Sequence, residues 1–342
     1  MKKLKIVLAL VLITAGFYSC QKNENNTVPV LLTTEVTGIT QTTAISGGNI
    51  SSDGGATITA RGVCWNTVEN PTINDNKTTD GQGSGEFSSN MSGLTPNTTY
   101  YVRAYATNSA GTGYGEAISI TTQSISFGNF TDPRDEADYQ TVTIGNQVWM
   151  AENLRYLPSV VGPEPGSDTT PYYYVYGYDG TDVSAAKATD NFASYGVLYN
   201  WPAAMAGSAS STTNPSGVQG VCPTGWHLPS HAEWTQLINY LGGVSDAGGK
   251  LKATGTIEAG TGLWYEPNTG ATNETGFTAL PDGYRHYVGT FSSIGREGSW
   301  WTTTEYDSLN PLFQYTGHNH SDAGTFNLLK RSGFSVRCLK DE

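Results

Sequence analysis

Turn signals interrupt this sequence so often that few stretches are long enough for anything but a short strand. Between residues 28 and 123 the punctuation is Gly47-Gly48, Asp53-Gly54-Gly55, Asn70-Pro71, Asp80-Gly81 and Thr95-Pro96-Asn97. Glycine and asparagine accept the left-handed backbone that tight turns use, and proline presets the first turn position. The runs between them are Leu31–Val36, Thr43–Ile50, Ala60–Trp65, Thr99–Ala106 and Ala117–Thr122. Short strands at such spacing predict an all-β sandwich. Strand alternation puts Tyr100, Val102, Ala104 and Ala106 on one face, and Val63 with Trp65 on a core face. Cys64 then points the other way and is expected to be an unpaired thiol.

Within that region, Leu94-Thr95-Pro96-Asn97-Thr98-Thr99-Tyr100, running into Tyr101-Val102-Arg103-Ala104-Tyr105-Ala106, resembles the late-strand signature of fibronectin type III domains. The resemblance spans residues 28–123. It implies a tyrosine corner at Tyr100, whose hydroxyl bonds back to the backbone upstream. It also implies a spacer that presents another domain.

The chain opens MKKLKIVLALVLITAGFYSC. Lys2, Lys3 and Lys5 form a basic start, Ile6 to Ile13 an apolar run, and small Ser19 precedes Cys20. This resembles a lipoprotein export signal over residues 1–19, with Cys20 as the lipidated first residue of the mature protein. The apolar stretch is short for a membrane span, which needs about 20 residues. Residues 20–27 read as a polar tether. Removing residues 1–19 takes away three lysines and no acid, so the formal charge moves from −12 to −15. So acidic a chain is unsuited to phosphate backbones, which excludes nucleic acid as a partner. Membrane attachment is then expected through the lipid anchor. The expected location is the cell envelope, at the outer membrane, with the face of display left open.

Residues 124–138 read as an irregular linker. Beyond them, residues 139–342 are rich in Trp and Tyr and hold one clear helix signal. Ser230 and Glu233 make a capping box after His227-Leu228-Pro229. Ala232, Trp234, Leu237, Ile238 and Leu241 follow at helical spacing, and Gly242-Gly243 ends the run.

The same region carries Val142-Thr143-Ile144-Gly145-Asn146-Gln147-Val148-Trp149-Met150-Ala151-Glu152-Asn153-Leu154, then Gly196-Val197-Leu198-Tyr199-Asn200-Trp201 and Cys222-Pro223-Thr224-Gly225-Trp226-His227-Leu228-Pro229. Further on come Asn273-Glu274-Thr275-Gly276-Phe277, Leu280-Pro281-Asp282-Gly283-Tyr284-Arg285, Trp300-Trp301-Thr302-Thr303-Thr304-Glu305 and Gly333-Phe334-Ser335-Val336-Arg337-Cys338. In this order they resemble the Fibrobacter succinogenes major paralogous domain. That resemblance implies a surface or secreted module of α+β class with a C-type-lectin-like fold, shared with formylglycine-generating enzymes. Cys222 and Cys338 fit a disulfide, with two free thiols as the alternative.

Chemistry-bearing constellations are sparse. His227 and His231 are four apart, but Pro229 lies between them and no HExxH motif is present, so structural or solvent roles are expected. His318 and His320 read as a polar surface pair. Glu266-Pro267-Asn268 is the tripeptide by which C-type lectins hold calcium and sugar hydroxyls, and a cis proline would aim both side chains. The partner Trp-Asn-Asp motif is missing downstream, so no cofactor is expected, with calcium as the alternative. Formylglycine-generating enzymes use a cysteine pair near the end of the domain, where only Cys338 stands here. The chain is therefore read as a non-enzyme. Among the aromatics, alternation sends Trp300 and Trp301 to opposite faces, and one ring is expected to be partly exposed. Trp264, Glu266, Asn268 and Trp301 are the candidate ligand-binding residues.

The expected function is a lipid-anchored binding or adhesion module for a glycan or cell-surface protein. The alternatives are a structural or assembly component of the envelope and, behind it, an enzyme on a lectin-like scaffold.

Overall fold

The computed structural model describes residues 26–341; the export signal and Cys20 lie outside the described residues. The first unit is a β-sandwich. One sheet holds Val30–Thr33, Thr43–Ser52 and Gly85–Ser92 in that order. The other holds Asn76–Lys77, Ala60–Asn66, Thr99–Asn108 and Gly111–Tyr114, with Ile118–Thr121 also paired to Thr99–Asn108. Ala44 and Met91 of the first sheet meet Val63, Trp65, Tyr100 and Val102 of the second in one buried cluster. The alternation read on residues 99–106 is observed: Tyr100, Val102, Ala104 and Ala106 are all buried. Cys64 is unpaired and buried on the opposite side, where its thiol faces the Pro71 carbonyl at 3.4 Å. Burial pushes that thiol up to about 11.

One turn reading fails, and one strand lies outside the expected runs. Gly47-Gly48 is the middle of a strand, not a turn. A Cβ on Gly48 would sit 2.7 Å from Cβ of Ala104, so glycine there lets the two sheets approach. Gly85–Ser92 is a strand without a legible apolar alternation, because its buried positions include Ser89 beside Met91.

The segment expected as a linker, 124–138, is largely a strand. Ser126–Asp132 pairs antiparallel along Ala137–Ile144, from Ser126–Thr143 to Asp132–Ala137. It is an edge strand exposed along most of its length, so it lacks the apolar alternation that marks a strand in sequence. It opens a five-stranded sheet that continues through Gln147–Met150 and Leu339–Lys340 to Trp226–His227. A second sheet runs Tyr173–Tyr174, Leu198–Asn200, Gly333–Phe334, Tyr284–His286 and Thr290–Ser292. A third joins Glu297–Glu305, Pro311–Gly317 and Ala323–Asn327.

The helix spans His231–Tyr240 and carries the full capping box between Ser230 and Glu233. Gly242 and Gly243 follow at φ 100° and 98°, the left-handed backbone at which the helix stops. Three short helices, Val183–Lys187, Asp190–Tyr195 and Trp201–Met205, precede it, and another, Val244–Leu251, follows at once. The capped helix buries Trp234, Leu237 and Ile238 in a core with Trp149, Phe277 and Trp300. Trp301 lies in a separate core with Met150, Tyr199 and Phe334. Glu297–Glu305 thus separates two cores and is covered on both faces.

Candidate functional site

The residues singled out from sequence do not converge. Trp264 is fully buried and its indole N–H donates to the Ala279 carbonyl at 3.1 Å. Trp301 is fully buried in the other core, donating to the Tyr199 carbonyl at 2.6 Å. The expectation of a partly exposed ring in the Trp300-Trp301 doublet is therefore wrong: alternation does separate the rings, but each face has its own core. Glu266 is exposed, and the Glu266–Pro267 peptide is cis. Asn268 turns inward, its amide donating to the carbonyls of Ala253 and Gly255 at 3.0 Å each. Its Oδ1 has no partner among the described residues. His318 Nδ1 donates to the Glu266 carbonyl at 2.8 Å, and His320 pairs with the Tyr315 hydroxyl at 2.9 Å. Among the described residues no group of three or more His, Cys, Asp or Glu side chains is arranged to hold a metal.

A different constellation forms at the N-terminus of the capped helix. The strand Trp226–His227 pairs with Leu339–Lys340, so His227 and Asp341 meet near the end of the chain. A Cys222–Cys338 disulfide crosses the same place. His227 Nδ1 lies 2.7 Å from an Asp341 oxygen, and Nε2 lies 2.7 Å from Glu233 Oε1. Glu233 Oε2 accepts from the backbone N–H groups of Ser230 and Ser216 at 2.8 and 3.2 Å. Two carboxylate partners require both imidazole nitrogens to donate, which only the protonated ring can do. Burial opposes that charge, but the bonds to Glu233 and Asp341 outweigh it and hold the His227 pKa above its ordinary value. With both nitrogens donating, His227 has no lone pair to act as base or metal ligand. Glu233 thus has two duties, capping the helix and countering a buried charge. The first is legible in the sequence as the Ser230–Glu233 capping box. The second was signalled only by a histidine and a carboxylate flanking the same cap.

The clasp of His227 between Glu233 and Asp341 forms one wall of a groove. A cavity of about 330 Å³ is bounded by Pro215, Gln219, Trp226, His227 and Asp341. A smaller one of about 90 Å³ shares Pro215, His227 and Asp341 and continues to Asn146, Asn214 and Gln236. Those three amides form a chain: Asn214 donates to Gln236 at 2.6 Å and Gln236 donates to Asn146 at 2.7 Å. Among the described residues Asn214 Oδ1 at one end and Asn146 Nδ2 at the other have no hydrogen-bond partner. None of these rim residues was a candidate from sequence, since isolated amides, two in loops and Gln236 on the helix His231–Tyr240, carry no pattern.

The sequence motifs meet elsewhere, in the interior. Asn153 Oδ1 accepts from the Trp300 indole at 2.8 Å and from Arg337 Nε and Nη2 at 3.1 and 3.0 Å. Asn153 Nδ2 donates to Asp282 at 2.8 Å and to the Ser335 hydroxyl at 3.2 Å. Arg337 also donates to the carbonyls of Phe277, Met150 and Thr278 at 2.6, 3.2 and 3.3 Å. Burial pushes the Asp282 carboxyl up to about 7, against hydrogen bonds and the Arg337 charge that pull it down. Burial lowers Arg337 to about 9. Asn153, Asp282 and Arg337 are all buried, so this network orders the fold and offers no surface.

The family model described as the Fibrobacter succinogenes major domain matches residues 142–340, more than half of the chain. The chain belongs to that family. A search of curated proteins finds no match.

Proposed function

We propose that this family member is a lipid-anchored envelope protein, without catalytic activity, that binds a hydroxyl-rich ligand of glycan type in the groove beside His227. The lining of the groove carries this reading. It offers an amide oxygen at Asn214 and an amide nitrogen at Asn146, neither bonded among the described residues, and a carboxylate at Asp341, beside the exposed ring of Pro215. Paired donors and acceptors next to an apolar ring suit a sugar better than a protein, which would need a larger apolar anchor. In its doubly bonded form the His227 imidazolium orders the groove.

The remaining readings support a display role. Tyr100 accepts a hydrogen bond from the Thr95 backbone N–H at 3.0 Å, which favours the fibronectin type III-like assignment of the sandwich and a spacer role. The pairing of Gln147–Met150 with Leu339–Lys340 draws the ends of the second unit together, as in a C-type-lectin-like fold. A disulfide fits export to an oxidising compartment. Lipidation at Cys20 is read out by fatty-acid labelling, which Cys20→Ala should abolish.

A glycan array probed with the chain from residue 21 onward tests the binding. Asn146→Ala and Gln236→Ala leave the clasp intact, and each should weaken a positive signal about tenfold, the loss of one or two hydrogen bonds, without lowering the melting temperature. A blank array, or a signal both variants retain, would sink the groove as a glycan site.

A further inference from the structure

Lys252 follows the helix Val244–Leu251 and is completely buried. Its Nζ donates to the backbone carbonyls of Gly317, Thr269 and His320 at 2.8, 2.9 and 2.9 Å. The Trp264 indole lies 5.4 Å from the same nitrogen. Among the described residues no carboxylate pairs with it. An ammonium has three N–H groups and a neutral amine two, so three accepting carbonyls specify the charged form. Burial lowers the lysine pKa to about 8, which still leaves it charged at neutral pH.

The three carbonyls come from two separate loops. Thr269 follows Glu266-Pro267-Asn268, and Gly317 and His320 bracket the turn after Pro311–Gly317. The loops are also joined by Thr269 N–H to the His318 carbonyl at 2.8 Å and by His318 to the Glu266 carbonyl. Backbone oxygens converging on one point without a carboxylate make the kind of surrounding that hard cations take. We infer that this cage is a cation site filled by the chain's own Lys252 ammonium, and that the lysine holds the Glu266–Asn268 loop where a bound metal would otherwise be needed. A resident positive charge beside Thr269 also works against a second cation at Asn268, whose amide already donates to carbonyls. This inference is independent of the groove and its ligand.

The full chain from residue 21 onward tests it, read by melting temperature and by hydrogen exchange at the Thr269 amide. Wild type should be indifferent to calcium and to a chelator in both readouts. Lys252→Met keeps the aliphatic stem and removes the charge. Its Thr269 amide should exchange about tenfold faster or more, the loss of charged hydrogen bonds. Lys252→Ala leaves the cage empty, and methylammonium or potassium should restore slow exchange where bulky tetramethylammonium does not. Wild-type exchange in Lys252→Met, destabilisation of wild type by a chelator, or a folded Lys252→Ala that no small cation rescues would each overturn the inference. If Lys252→Ala does not fold, the methionine variant and the chelator arm still decide.

Discussion

In the sandwich, Thr43–Ser52 and Thr99–Asn108 run ten residues each, and their ladders pair residue by residue with several neighbours. In the second unit, Tyr173–Tyr174, Trp226–His227, Gly333–Phe334 and Leu339–Lys340 are two residues each. Longer ladders join Ser126–Asp132 to Ala137–Ile144 and Glu297–Glu305 to Pro311–Gly317, but the two-residue ladders cannot fix the backbone that runs between them. The work passes to single long-range ties: a disulfide spanning 116 residues, Arg337 on three carbonyls, Lys252 on three more, and His227 between two carboxylates. A ladder loses one rung per substitution, whereas a point tie is lost whole. The two units should therefore respond to damage very differently.

The largest contrast is expected from the disulfide. In the chain-entropy model a cross-link closing a loop of more than 100 residues contributes about 5 kcal/mol. Replacing Cys222 and Cys338 together by alanine should lower the melting of the second unit by that order and leave the sandwich transition in place. Calorimetry resolving both transitions checks this. A common shift of both would mean that the units do not unfold separately.

Next is Arg337→Met. It leaves Asn153 Oδ1 short of two donors, strands the carbonyls of Phe277 and Met150, and removes the positive charge that favours ionised Asp282, buried losses of about 3–5 kcal/mol together. Adding Asp282→Asn should recover part of that loss, since the uncompensated carboxylate is gone. Urea denaturation of the single and double variants measures it. If the double variant is no better than the single, the loss lies in the hydrogen bonds to carbonyls and not in the buried charge.

The His227 clasp should appear as a pH dependence. Its folded pKa is raised, so its stabilisation is complete below the ordinary imidazole value of 6.5 and fades as pH rises through the folded value. Bonds between charged groups at this depth, with Asp341 half exposed, suggest about 1–2 kcal/mol. Stability measured from pH 6 to 8.5 should fall more in wild type than in His227→Gln. Parallel curves would remove His227 from the account.

The same division decides what the sequence could reveal. Local devices were legible: the Ser230–Glu233 capping box, the glycine stop at Gly242-Gly243, and the face alternation around Tyr100 all operate within a few residues. The Cys222–Cys338 pair was reached by resemblance. What stayed hidden depends on distant partners. Nothing near Trp300-Trp301 shows that both faces of its strand are covered, and nothing near Asn153 shows that Asp282 and Arg337 will reach it. The strand Ser126–Asp132 was mistaken for a linker because an exposed edge needs no apolar period. The groove escaped because Asn146, Asn214 and Gln236 are brought together only by the fold.

The smallest expected effect sharpens the comparison from the other side. Tyr100 is the sandwich's nearest equivalent to a point tie, its hydroxyl taking the Thr95 N–H at 3.0 Å. The ring itself is buried with Val102, Trp65 and Met91. Tyr100→Phe keeps that packing and removes only the hydroxyl, leaving one backbone donor at the turn. Such a loss costs about 1 kcal/mol. In a unit held by long ladders it should stay at that value and leave the exchange of neighbouring strand amides unchanged. If Tyr100→Phe instead loosens Thr99–Asn108 along its length, the corner is organising the strand, and the sandwich depends on point ties as the second unit does.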